Sequence, residues 1–157
     1  MLDETFSTGV AAHGAILKAF TAFVVSRAIY AAARLDIADH LIDGPRSVDH
    51  LASKSETDSF TLYRLLRTLA SEGIFEEVSD RVFGLTPSAA CLQRGAPNSI
   101  RSYVLLLGDE SHQRSWDELT YSVRTGAAAF SHVWGRAAVP VLSWSTRRID
   151  FQRGHER

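Results

Sequence analysis

The sequence predicts a mainly α chain interrupted by one short β-hairpin, and three stretches carry that prediction. In DSFTLYRLLRTLASEGIF (58–75), Leu62, Leu65, Leu66 and Leu69 recur at three- and four-residue spacing, while Arg64, Arg67, Thr68 and Ser71 fall on the opposite side. That is a helix with one buried and one wet face. Residues 11–35 form a second, longer helical pattern with few breakers. Directly after Gly73, residues 74–78 and 82–85 read as two strands around Ser79 and Asp80. A helix, a glycine and then a hairpin are the parts of a winged helix-turn-helix, here embedded in a helical bundle. That fold reads DNA in some proteins and only builds dimers in others.

Taken in order, the long N-terminal helix carries Ile16, Phe20, Phe23, Val24 and Ile29 on more than one face, so it needs cover on several sides. A chain of 157 residues rarely encloses such a helix completely, which points to a second subunit, with an intrachain core helix as the alternative. In ARLDIADHLIDGPRSVDHLA (33–52), Leu35, Ile37, Ala38, Leu41 and Ile42 predict a short amphipathic helix stopped by Gly44 and Pro45. Ser47 caps a brief helix through Ser53, the first of the helix-turn-helix, with Val48, Leu51 and Ala52 inward. Thr57 or Asp58 caps the second, and Gly73 ends it in a left-handed turn. Thr86 caps another short helix with Pro87 in its first position. Residues 95–98 are a loop. Helices are predicted over 100–107 and 110–124, punctuated by Gly108 and Gly126, with Trp116, Leu119 and Val123 on one face of the second. Residues 127–135 make a last apolar turn or two. One domain therefore spans 1–135, and 136–157 is an irregular tail with five arginines against two acids.

Composition narrows the partners. Hydrophobic residues make up 45% and charged residues 22%, with a net charge of -1, so nothing draws the chain to nucleic acid or a membrane. A single cysteine, Cys91, excludes an internal disulfide and a cysteine-cluster metal site, and a reducing cytoplasm is the expected setting. Asp3 and Glu4 stand where an export signal would be basic. Lys18 interrupts and Arg27 flanks the apolar run 15–25 before it reaches the length of a membrane span.

The chemistry-bearing residues are sparse. Residues 47–85 hold four basic side chains (Lys54, Arg64, Arg67, Arg81) against seven acids (Asp49, Glu56, Asp58, Glu72, Glu76, Glu77, Asp80), the wrong sign for a duplex. Arg64 and Arg67 either touch phosphates from the exposed face or pair with carboxylates nearby or on a partner. The six histidines are scattered without metal-ligand spacing. There is no GxSxG elbow, phosphate loop or glycine-rich dinucleotide turn. Cys91 reads as inert packing on a short helix. Trp116, Phe130 and Trp134 line a pocket for a flat aromatic ligand or pack as core.

Four segments in succession, ARLDIADHLIDGPRSVDHLA, LYRLLRTLASEGIFEE, FGLTP and SWDELTYSVRTGAAAFSHVWG, resemble the N-terminal dimerisation domain of S-adenosylmethionine-dependent small-molecule O-methyltransferases, the bacterial enzymes that decorate polyketides and other secondary metabolites. The resemblance runs from about 12 to 135. It implies a helical dimerisation bundle with an embedded winged helix, whose long first helix interlocks two subunits through Ile16, Phe20, Phe23, Val24 and Ile29. Its later helices would roof a substrate pocket, with Trp116 and Phe130 near a small aromatic acceptor. The partner would be a second copy or an intact relative. S-adenosylmethionine belongs to a separate α/β domain with a glycine-rich turn and an acidic ribose ligand, which follows later in the family together with the histidine base. None of these can be placed in the 157 residues, so no catalysis and no cofactor or metal binding is expected of this chain alone. The runner-up is a winged-helix transcriptional regulator that binds DNA and a small ligand.

The family continues past the position of Gly135 into a helix containing Phe-Asn-x-Ala-Met, and the chain departs from it there. Reading the possible codons of Phe151 to Glu156 one nucleotide later permits that same motif. The hypothesis is that residues after about 135 are out-of-frame translation, and that the parent gene encoded, or once encoded, a complete methyltransferase.

Overall fold

The protein is seen in a computed structural model that describes residues 2–135, with side chains from His13 onward. The chain divides into two compact units, the first ending at Leu106 and the second beginning at Leu107. The tail 136–157, and with it the out-of-frame reading, lies outside the described residues.

The first unit opens with α1 (Leu2–Arg34), which starts nine residues before the predicted helix at 11 because no proline interrupts the run. Ala28, Ala32 and Ala33 near its end are buried, and such small side chains let α3 (Ser59–Ser71) approach closely. The predicted helix over 35–42 does not form. Asp36 enters the left-handed region at φ 54°, and only a 3-10 turn, Asp39–Leu41, follows. Its apolar residues still find the core: Ile37, Ala38 and Leu41 are buried, whereas Ile42 is exposed. The pattern of burial survives because the turn, like a helix, returns to the same side every three residues.

β1 (Arg46–Ser47) leads into α2 (Val48–Ser55), whose first turn is capped by Ser47 Oγ accepting from the His50 amide at 3.3 Å. The helix runs two residues past its predicted end and stops at Glu56, which is left-handed at φ 54°. Asp58 Oδ1 caps α3 by accepting from the Thr61 amide at 2.7 Å. Leu62, Leu66 and Leu69 are buried and Leu65 half-buried, while Arg64, Arg67, Thr68 and Ser71 are exposed, as the heptad-like spacing requires. Gly73, at φ 70°, reverses the chain into β2 (Phe75–Ser79).

β2 and β3 (Val82–Leu85) form the antiparallel hairpin, with Phe75 opposite Leu85 and a bulge between Glu77 and Ser79. The sequence offered no sign of the third strand: β1 pairs with β3, Arg46 opposite Phe83, giving the order β1-β3-β2. Two residues are too few to show a period. Phe75 and Phe83 point into the core beside Leu51 and Leu66. α4 (Pro87–Ala90) is capped by Thr86, whose Oγ1 accepts from the Ala89 amide at 3.1 Å and donates to the Ile74 carbonyl at 2.5 Å. The loop over 95–98 precedes α5 (Arg101–Gly108).

In the second unit the single helix predicted over 110–124 is two, α6 (Glu110–Asp117) and α7 (Leu119–Thr125), broken at Glu118. Gly126 ends α7 with φ 71°, and α8 (Ala129–Trp134) packs on α6. Trp134 Nε1 donates to the Ser111 carbonyl at 3.2 Å, and the Ala129 amide donates to Ser122 Oγ at 2.9 Å. Trp116 therefore lies on α6 and Leu119 and Val123 on α7, not on one helix face, and all three are exposed within this unit.

Candidate functional site

The least satisfied surface of the first unit is the front half of α1. Every residue from His13 to Val24 is exposed, including Ile16 (69%), Leu17, Phe20 (73%), Phe23 and Val24. At 100° per residue these five fall within a stripe roughly 120° wide, about a third of the circumference. Phe20 and Phe23 meet edge-to-face with ring centroids 6.3 Å apart. Leu17 belongs to the stripe although the sequence reading did not single it out; its position one residue after Ile16 and three before Phe20 was the available signal. Ile29 is placed differently, half-buried against the core of its own unit. An exposed apolar strip of this extent marks a surface that another body covers.

Length and composition do not by themselves say which body. By length and composition alone the 22 residues His13–Arg34 are apolar enough to cross a membrane, with the charged Lys18 and Arg27 among them.

Two arginines of the winged helix-turn-helix are engaged by neighbouring side chains. Arg67 Nε lies 3.4 Å from Glu77 Oε2, and its Nη1 donates to the Tyr63 hydroxyl at 3.1 Å. Arg81 donates to Asp49 Oδ1 at 3.1 Å and lies 4.9 Å from the centre of the Tyr63 ring. Two of the four basic groups counted in 47–85 thus answer the surplus of acids locally. Arg64 is exposed on α3.

Where α1 turns into the rest of the unit, Asp36 accepts from two arginines that arrive from beyond the hairpin. Arg94 Nε donates to its Oδ1 at 3.0 Å, a second Arg94 nitrogen grips Oδ2, and Arg101 Nη2 donates to Oδ1 at 2.6 Å. The Arg94 hydrogen bonds, reinforced by the charge of Arg101 and opposed by partial burial, hold the Asp36 carboxyl below the usual aspartate range. The Arg94 amide also donates to Asp39 Oδ1 at 3.0 Å. This network clamps the turn that sets the exit angle of α1.

In the second unit Trp116 is 64% exposed, while Phe130 is half-buried and edge-on to His112 at 6.2 Å. Trp134 carries the Arg114 guanidinium 5.2 Å from its ring. Phe130 and Trp134 therefore contribute to packing within the unit, and Trp116 offers its ring to whatever approaches. Cys91 is half-buried at the end of α4, where Sγ donates to the Pro87 carbonyl at 3.4 Å and accepts from Asn98 at 3.3 Å. Among the described residues no group of three or more acidic, histidine or cysteine side chains is placed to hold a metal.

Comparison with known proteins gives this geometry a context. The family model of the O-methyltransferase dimerisation domain matches residues 17–95. The phenazine O-methyltransferase PhzM of Lysobacter antibioticus is 36% identical over 135 residues, covering 86% of this chain and 39% of the relative. The crystal structure of LaPhzM superposes with a TM-score of 0.78 at 35% identity, over 86% of this chain and 40% of that one. CalO1, a methyltransferase in calicheamicin biosynthesis solved in its SAH-bound form, superposes with a TM-score of 0.69 at 26% identity, over 93% of this chain and 46% of that one. The chain thus spans less than half the length of these methyltransferases.

Proposed function

The chain belongs to the O-methyltransferase dimerisation-domain family, and on that premise we propose that it is the dimerisation and substrate-lid part of an S-adenosylmethionine-dependent small-molecule O-methyltransferase, without catalysis of its own. The observation that carries the proposal is the uncovered stripe Ile16, Leu17, Phe20, Phe23 and Val24. A second copy presenting the same stripe would bury both, as an isologous interface does. A membrane would cover the stripe equally well, but the end of the same helix is built into a core with α2, α3 and the hairpin, as a dimerisation domain requires. An intact relative carrying the same helix is the alternative partner.

The lid role is assigned to the second unit, where Trp116 presents a free aromatic face to a small aromatic acceptor and Phe130 holds α8 against α6. The absence of catalysis is proposed because the 157 residues contain no glycine-rich donor turn. If the residues after 135 are out of frame, the donor domain is encoded in the shifted frame, and sequencing onward from the Gly135 codon reads it directly. We place the protein in the cytoplasm and in secondary metabolism. The DNA-binding alternative draws no support from the winged helix-turn-helix, where Arg67 on α3 and Arg81 in the hairpin turn are both paired with carboxylates.

Sedimentation velocity at micromolar concentration tests the central claim. A dimer is expected; a folded monomer that stays monomeric with and without an intact relative would refute it. Titration calorimetry with S-adenosylmethionine is expected to give no heat, and saturable binding by the chain alone would overturn the assignment of catalysis elsewhere.

A further inference from the structure

The exposed stripe on α1 reads the same in both directions along the helix. Ile16, Leu17, Phe20, Phe23 and Val24 are a central residue and the positions three and four to either side of it. At 100° per residue, Ile16 and Val24 stand about 40° to opposite sides of Phe20, and Leu17 and Phe23 about 60°. His13 and Arg27, each a heptad away, lie close to the same line, and both are exposed. They close the apolar patch with a polar residue at each end. Lys18, the one charged residue between them, lies on the opposite face, about 160° from Phe20.

A residue with its neighbours at i±3 and i±4 is the patch that two α-helices share where they cross. It runs over 16–24 of α1, roughly 13 Å of helix, which is too short for the several heptads of a coiled coil. The direction of the crossing follows from symmetry and charge. In an antiparallel pair each side chain meets the mirror position, so the apolar set must be symmetric about the crossing point. Ile16 then meets the partner's Val24, Leu17 meets the partner's Phe23, and Phe20 lies on the axis. A parallel pair needs no such symmetry and sets Arg27 beside the partner's Arg27, whereas the antiparallel pair sets it beside the partner's His13. The helix dipoles favour the same choice.

We propose that two copies of this chain pair by an antiparallel crossing of their first helices, with the two-fold axis at Phe20. The inference rests on the dimer reading and adds its direction and register. The edge-to-face Phe20–Phe23 pair of each copy lies at the centre of the contact, where the energy of an interface concentrates. A standard interface takes about 20–30 residues a side, so the stripe is the centre of the contact and not the whole of it.

Disulfide trapping of the full chain tests the register, in a Cys91→Ser background that keeps a donor to the Pro87 carbonyl and an acceptor for Asn98. A bridge needs Cα atoms about 4.4–6.8 Å apart. Phe20→Cys should give a covalent dimer on oxidation. Ile16→Cys alone should not, because antiparallel copies hold the two positions about 12 Å apart along the helix, and the same is expected of Val24→Cys. Mixed, these two should link at least roughly tenfold faster than either alone. Leu17→Cys mixed with Phe23→Cys asks the same question with the central ring intact, in case its loss weakens the pair. Sedimentation velocity of the wild type runs beside the trapping. A wild-type dimer in which Ile16→Cys or Val24→Cys links to itself as fast as the mixture overturns the antiparallel crossing and leaves the dimer standing, as does one in which neither mixture links. A wild-type chain that stays monomeric, whether alone, on phosphatidylcholine vesicles or bound to an intact relative, overturns the self-pairing itself.

Discussion

Arg101 reaches back 65 residues to donate to Asp36 Oδ1 at 2.6 Å, joining the start of α5 to the left-handed turn that ends α1. With Arg94 on the same carboxylate, this contact sets the direction in which the exposed stripe of α1 leaves the domain. The Arg101 side chain is largely buried and its Nε has no partner, so the guanidinium is committed to this one carboxylate.

Replacing Asp36 by Asn should therefore destabilise the fold in a pH-dependent way. The folded-state pKa of Asp36 lies below the unfolded one, so its contribution is complete above about pH 4 to 5 and disappears as pH falls through the lower folded value. Urea melts are expected to show a loss of about 1–2 kcal/mol at pH 6, held down by solvent screening, and a smaller difference between wild type and variant at pH 2.5. An equal deficit at both pH values would mean that the charge is not what matters.

Phe20→Glu should dissociate the proposed dimer without unfolding the domain, because Phe20 is 73% exposed and touches no core residue. Burying a carboxylate at the centre of an apolar interface costs several kcal/mol, so dissociation should weaken the dimer by at least roughly a hundredfold in sedimentation equilibrium. The circular dichroism spectrum should lose helix only from the front of α1.

Thr86→Val removes both the bond to the Ile74 carbonyl and the cap of α4 while keeping the shape of the side chain. A loss of about 1–2 kcal/mol in chemical denaturation is expected. Ser88→Ala, exposed on the same helix, serves as the control and should change little.

Gly84 stands opposite Glu76 in the hairpin, and a Cβ there would come within 3.3 Å of Val78 Cγ1 and 3.4 Å of Pro45 Cγ. Alanine should cost a fraction of a kcal/mol, whereas valine, branched at that atom, should cost about 1–3 kcal/mol and lower the melting temperature visibly. Val78→Ala in the valine background should recover part of the loss.

The sequence by itself determined the elements whose signal is local. Asp58, Thr86 and Ser47 are caps because short polar side chains meet unpaired amides one turn on, and Leu62, Leu66 and Leu69 are core because their spacing matches the helical repeat. The four motifs in order likewise sufficed to identify the family, and the apolar residues of α1 could be named as a surface in need of cover. What depended on distant partners was decided only in three dimensions. Residues 35–42 carry a helical pattern yet turn at Asp36, where the carboxylate meets Arg94 and Arg101 from more than 50 residues away. Ile29 shares the apolar character of Phe20 and Phe23 but is half-buried, because α3 reaches the end of α1 and not its front. β1 exists through its pairing with β3. A local pattern reports on neighbours within a turn or a strand pair, whereas long-range hydrogen bonds and ion pairs gain their energy only once the chain has closed the loop between them.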